Sequence, residues 1–105
     1  MPKRGLLRSE LKHMFQFDPD KESANFRKHR LTFDAAPLLF EGPYVEEVDD
    51  RIDYRETRFV ATGPIAEFGG RICVVVYTWR GNVRRIISFR KANDKEAGKY
   101  RDAQR

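Results

Sequence analysis

The clearest signal in the chain is a run of apolar, β-branched residues, Arg71-Ile72-Cys73-Val74-Val75-Val76-Tyr77-Thr78. Nearly uniform apolarity over this length predicts a strand covered on both faces, hence a central one. Arg80-Gly81-Asn82 predicts a hairpin, and Val83 to Lys91 its antiparallel partner. Before it, Thr57 to Thr62 reads as a strand stopped by Gly63-Pro64, and Gly69-Gly70 as the turn into the central strand. Tyr44 to Val48 is a weaker strand, followed by an acid-rich stretch to Glu56 that reads as a solvated loop. Met14-Phe15-Gln16-Phe17 alternates and predicts a first strand.

Two helices are expected between the first strand and the second. Asp18-Pro19 opens one, because Asp accepts from free N–H groups and Pro lacks the donor that would go unpaired there. It should run through His29, with Asn25 one turn earlier. Phe33, Ala36 and Phe40 are spaced for a second helix, which Pro37 must shorten or displace toward Asp34. Asn93 followed by Glu96 is a capping box that predicts a charged C-terminal helix. Early helices followed by strands in meander indicate an α+β fold: an antiparallel sheet with two N-terminal helices packed on one face and a C-terminal helix. Residues 1–13, with Lys3, Arg4, Arg8 and Lys12 and no clear period, are expected to be a flexible extension of a single domain over 14–105.

Composition sharpens this. The 105 residues are 40% hydrophobic and 12% aromatic, enough for one core and too apolar for a disordered tail. A net charge of +5 favours polyanion partners through counterion release, although many basic proteins bind no nucleic acid. Cys73 is the single cysteine and sits in the apolar run, where it reads as a small buried hydrophobe. The N-terminus lacks the apolar stretch of a secretion signal, and no segment is long enough to span a membrane, so a cytoplasmic protein is expected.

Metal chemistry finds little support. His13, His29 and Cys73 are the only soft ligands, and the acids between Glu46 and Glu56 lack the spacing of a calcium loop. No metal and no cofactor are expected. A nucleophilic triad drawn from Ser88, His29 and an aspartate has no nucleophile-elbow pattern behind it. The basic cluster is more informative. Arg80, Arg84, Arg85, Arg90 and Lys91 fall in one acid-free stretch. Alternation puts Arg84, Ser88 and Arg90 on one face of the last strand and Arg85 on the other. Arginine on a half-buried surface needs an anion, either a carboxylate such as Glu56 or a ligand phosphate. His29 has a reference pKa suited to proton transfer near neutrality, but a histidine at a helix C-terminus is also favoured by the helix dipole alone.

These landmarks resemble the BrnT family of type II toxin–antitoxin systems. The resemblance is carried by Phe15-Gln16-Phe17-Asp18-Pro19-Asp20-Lys21, Asn25-Phe26-Arg27-Lys28-His29 and Thr32-Phe33-Asp34-Ala35-Ala36. Further along it rests on Glu56-Thr57-Arg58, Gly63, Val74 to Thr78 and Arg85-Ile86-Ile87-Ser88-Phe89-Arg90-Lys91-Ala92. It covers about residues 14–100. The family usually has Gly after the Lys-His pair, where Arg30 stands here, and Pro37 interrupts a segment that is usually plain helix. The resemblance implies a RelE-like fold and a ribonuclease that arrests translation. It also implies a BrnA-like DNA-binding antitoxin, in a heterotetramer that meets DNA through the antitoxin.

Metal-free RNA cleavage by 2′-hydroxyl attack needs a base, cations for the developing phosphorane charge, and an acid for the leaving oxygen. Arg58, Arg85 and Arg90 are the candidates for the cationic role, and Glu56 or His29 for the base. Lys28, Arg84, Ser88 and Lys91 are the candidates for holding the RNA backbone. The rival is a non-catalytic nucleic-acid- or partner-binding subunit of a transcriptional repressor complex, whose basic strand only docks. Arginines each locked to a carboxylate of their own chain would count against the cleavage reading.

Overall fold

The computed structural model describes residues 14–51 and 55–105. The expected extension over 1–13 lies outside the described residues, as does the middle of the acid-rich loop. The elements are β1 (Phe15–Phe17), α1 (Pro19–His29), a 3₁₀ helix (Phe33–Glu41), β2 (Val45–Asp49), β3 (Arg58–Ile65), β4 (Arg71–Arg80), β5 (Val83–Lys91) and α2 (Asp94–Ala103). A short 3₁₀ turn, Ala66–Phe68, joins β3 to β4.

Five strands form one sheet in the order β1-β5-β4-β3-β2. The expectation of a purely antiparallel sheet is corrected at one edge, where β1 runs parallel to β5, Phe15 opposite Arg84 and Phe17 opposite Ile86. A three-residue strand carries no signal of its direction; that is set when α1 turns the chain away and the β4–β5 hairpin returns beside it. The hairpin itself is as read, with a two-residue connection at Gly81-Asn82.

β3 does not stop at Gly63-Pro64 but continues to Ile65, with Pro64 opposite Ile72. Pro is tolerated because β2 has already ended at the Val45–Thr62 pair, so β3 is an edge strand there. Gly63 is needed for a different reason. A Cβ at this position would lie 2.5 Å from the Pro43 carbonyl oxygen and 2.9 Å from the Tyr44 Cβ.

The second helix is 3₁₀ and not α. Pro37 removes a donor within it, and the segment covers one sheet face with Phe33, Ala36 and Leu39, all fully buried. They join Ala61, Cys73, Val75, Tyr77, Ile86 and Phe89 in the main core. The side taken by the C-terminal helix is not specified by the sequence pattern. α2 packs on the opposite face, where Ala97 and Tyr100 meet Ile72, Val74 and Ala92 in a smaller cluster. With β4 covered on both sides, its uniform apolarity is accounted for. Asn93 accepts from the Glu96 backbone N–H while Glu96 accepts from that of Asn93, the capping box read from the sequence.

Candidate active site

α2 lies across only part of its sheet face, over Ile72 and Val74. The strand register decides what fills the remainder. Continued by one residue, the Phe59–Tyr77 register sets Arg58 beside Thr78, and Thr78 stands opposite Arg85, so three adjacent strands contribute one cross-strand row. Two strand spacings place the arginine Cα atoms about 10 Å apart, within reach of one phosphodiester for side chains this long. Arg80 lies two residues beyond Thr78 on the same face, opposite Val83. Gln16 stands opposite Arg85 on β1. One row inward, Ser88 faces Val76.

Each arginine has a different attachment. Arg58 Nε is 3.9 Å from Glu56 Oε1, a contact at the limit of an ion pair. Arg85 Nη2 is 3.4 Å from Asp18 Oδ2, whose other oxygen accepts from the Asp20 backbone N–H at 2.9 Å as the helix N-cap. Asp18 therefore orients Arg85 as well as opening α1. Arg90 is engaged far more firmly, with Nη1 and Nη2 donating to the two oxygens of Glu96 at 2.6 and 2.7 Å. That bond holds the Glu96 carboxyl below its ordinary range and raises Arg90 further. Arg90 ties α2 to β5, and its charge is spent within the chain.

The expected alternation along β5 fails at a bulge. Val76 pairs with Ser88 but Tyr77 pairs with Ile86, leaving Ile87 without a counterpart. The extra residue puts Ile86 and Phe89 on the same, core face. Ser88 and Arg90 are thereby returned to the face of Arg85, and Arg84 is parted from them. Arg84 lies on the core side, its guanidinium 4.1 Å from the Phe40 ring centroid and 5.1 Å from that of Tyr77. Lys91, opposite Cys73, also points to that side. These two are the expected RNA contacts that the fold does not bring to the row.

His29 and Lys28 flank the same face farther along β5, beside Ser88 and inward of the row. α1 lies along the edge of β5 that short β1 leaves open, and buried Asn25 takes the place of a missing strand. Its Nδ2 donates to the Phe89 carbonyl at 2.8 Å and its Oδ1 accepts from the Phe89 N–H at 3.0 Å. Nδ2 also donates to the Leu31 carbonyl at 3.0 Å. One turn on, His29 and Lys28 line a shallow depression with Lys21, Ile87 and Ser88. Desolvation lowers the His29 pKa, aided by the charges of Lys28 and Arg90. Its imidazole is therefore neutral at pH 7 and able to accept a proton. Cys73 is fully buried, and burial pushes its thiol up, as expected of an unreactive core group.

Sequence reading missed three contributors. Thr78 is buried, and its hydroxyl donates to the Thr57 carbonyl at 2.7 Å, anchoring the residues between Glu56 and Arg58. Its signal was a polar residue ending an apolar run. Asp18 read only as a cap, and Arg80 only as a member of the basic cluster. Among the described residues, no three His, Cys, Asp or Glu side chains are placed to hold a metal ion. No helix among them is long and apolar enough to cross a membrane.

Comparison with known proteins agrees with this architecture. The sequence model of the family described as "Ribonuclease toxin, BrnT, of type II toxin-antitoxin system" matches residues 17–96. The crystal structure of the Brucella abortus ribonuclease toxin BrnT superposes with a TM-score of 0.56, covering 77% of this chain and 99% of that one at 24% identity. At that identity the likeness speaks for the fold. No curated protein matches the sequence.

Proposed function

The chain belongs to the BrnT family of ribonuclease toxins of type II toxin–antitoxin systems, and from that premise we propose that RNA is cleaved on the open sheet face bearing Arg58 and Arg85. The family makes the protein a ribonuclease with a protein antitoxin for a partner. The observation that carries the location is the Arg58–Thr78–Arg85 row on the part of the face α2 leaves bare.

Neutral His29, beside Ser88, takes the proton of a ribose 2′-hydroxyl as that oxygen attacks the adjacent phosphorus. Arg58 and Arg85 meet the charge that builds on the phosphorane oxygens. Guanidinium suits this role because it stays ionised and presents paired donors. The 5′-oxygen leaves and is protonated from solvent, which reaches the open face. Glu56 and Asp18 hold the two guanidiniums in place, and Lys28 and Arg80 draw in the RNA backbone. Such a reaction needs no metal ion, and it leaves a 2′,3′-cyclic phosphate and a 5′-hydroxyl.

Purified protein should therefore cut RNA in EDTA and give cyclic-phosphate ends. Arg85→Ala should lose about 100-fold or more in kcat, the usual cost of deleting one preorganised charge. Undiminished cleavage by that variant would move the chemistry elsewhere. His29→Ala should remove the acidic limb of the pH–rate profile, which for the wild type rises through a histidine pKa lowered from its ordinary value. The proposal extends to a RelE-like fold, supported by the order of helices and strands. It also takes in the cytoplasm and a BrnA-like antitoxin that binds DNA within a heterotetramer, both supported by the family alone.

A further inference from the structure

The β4–β5 hairpin carries the chain's single tryptophan, Trp79, and leaves it 43% exposed. The indole is nevertheless firmly held. Tyr77 meets it edge-on with centroids 5.6 Å apart, and the Arg84 guanidinium lies 4.5 Å from its ring centroid. That guanidinium also lies 4.1 Å from the Phe40 ring centroid and touches the Tyr44 hydroxyl at 3.4 Å. Arg84 Nε is buried without a hydrogen-bond partner among the described residues. Giving up a donor in this way is unfavourable. What the arrangement secures is a rigid indole, supported from below by a cation and presenting its outer side to solvent.

The surroundings indicate what that side receives. No Asp or Glu occurs from Phe68 to Asn93, so a polyanion approaching the hairpin meets no acid of β4 or β5. A tryptophan that anchors a protein partner usually sits within a ring of contacts that exclude water. Beyond Trp79 come Arg80, Gly81 and Asn82, all exposed, and a Cβ added at Gly81 would meet nothing within 4 Å. The tip is open and polar. Thr78 and Trp79 are consecutive and point to opposite faces, so a strand lying on the Arg58–Arg85 row needs only to fold over this tip to bring its next base to the indole.

We propose that Trp79 is a stacking platform for an RNA base flanking the cleaved phosphate, with Arg84 fixing the indole and Arg80 taking an adjoining phosphate. This rests on the reading that the Arg58–Arg85 face cleaves RNA. Stacking on an aromatic side chain suits any base, so the platform would position the strand more than select its sequence.

Because Trp79 is the single tryptophan, the protein's indole fluorescence reports on it alone. Titration with a 2′-O-methyl oligoribonucleotide, which cannot undergo 2′-hydroxyl attack, should quench that fluorescence saturably, to about half or less. An abasic oligomer of equal length and charge should bind without quenching. Trp79→Ala should raise KM for unmodified RNA about ten-fold with kcat little changed, and Trp79→Phe should recover most of that loss. Equal quenching by both oligomers, or no quenching by the base-bearing one, would overturn the platform. So would an unaltered KM in Trp79→Ala, or a fluorescence response to the antitoxin and not to RNA. Cleavage without quenching would leave the proposed active site standing and remove this inference alone. Quenching without cleavage would remove the proposed active site and, with it, the place beside a cleaved phosphate given to the platform.

Discussion

Arg30 ends α1 in the left-handed region, with φ 61° and ψ 25°, while its N–H bonds to the Phe26 carbonyl at 2.8 Å. This backbone conformation suits glycine, so its strain falls here on a residue with a Cβ. Arg30→Gly should therefore stabilise the protein by about 0.5–1 kcal/mol in chemical denaturation, less the weak contact of the guanidinium with the exposed Phe26 ring. Gly63 is the opposite case. Its φ needs no glycine, but Pro43 and Tyr44 press against the position a Cβ would take. Gly63→Ala should cost about 1–3 kcal/mol as β2 and its preceding turn are pushed off β3. A midpoint unchanged from wild type would mean that this approach is looser than described.

At the scale of elements, two side chains do work that backbone usually does. Asn25 closes the open edge of β5 and so fixes α1, with Lys28 and His29, against the sheet. Asn25→Ala should destabilise by about 2–3 kcal/mol, since two buried backbone groups of Phe89 lose their partner. The second device is the Arg90–Glu96 pair, which fastens α2. The folded-state pKa of Glu96 lies below its ordinary 4.5. Its contribution is therefore fully present above pH 4.5 and is lost as pH falls through the lower, folded value. Glu96→Gln should be about 1–2 kcal/mol less stable than wild type at pH 7, a difference that shrinks toward zero in acid. Urea denaturation at a series of pH values would show whether the two curves converge.

For the molecule as a whole, the net charge of +5 is less informative than its distribution. Arg90 is neutralised by Glu96 and Arg84 is sequestered against rings, while Arg58 and Arg85, each beside a carboxylate of this chain, share the open face with Arg80. Binding of an uncleavable RNA should weaken with salt at a log–log slope of about −2, corresponding to three phosphates at about −0.7 each. Arg80→Ala should reduce that slope by roughly 0.7, and fluorescence anisotropy across a salt series would measure it. An unchanged slope would exclude Arg80 from the path of the RNA.

Much of the fold was legible because local physics determined it. Uniform apolarity along Val74-Val75-Val76 specified a central strand, and Gly81-Asn82 a hairpin. Asp18-Pro19 and Asn93 with Glu96 specified where helices begin. The acid-free hairpin pointed to the region in which the proposed site lies. What no local pattern contained was which residues share a face. One unpaired residue, Ile87, reverses the alternation of β5, so strict alternation along the strand wrongly groups Arg84 with Ser88 and Arg90. Likewise, the parallel placement of β1, the side taken by α2 and the commitment of Arg90 to Glu96 depend on groups far apart in sequence. Propensity and capping act over a few residues and can be read along the chain. Register and ion pairing are settled only when distant strands meet.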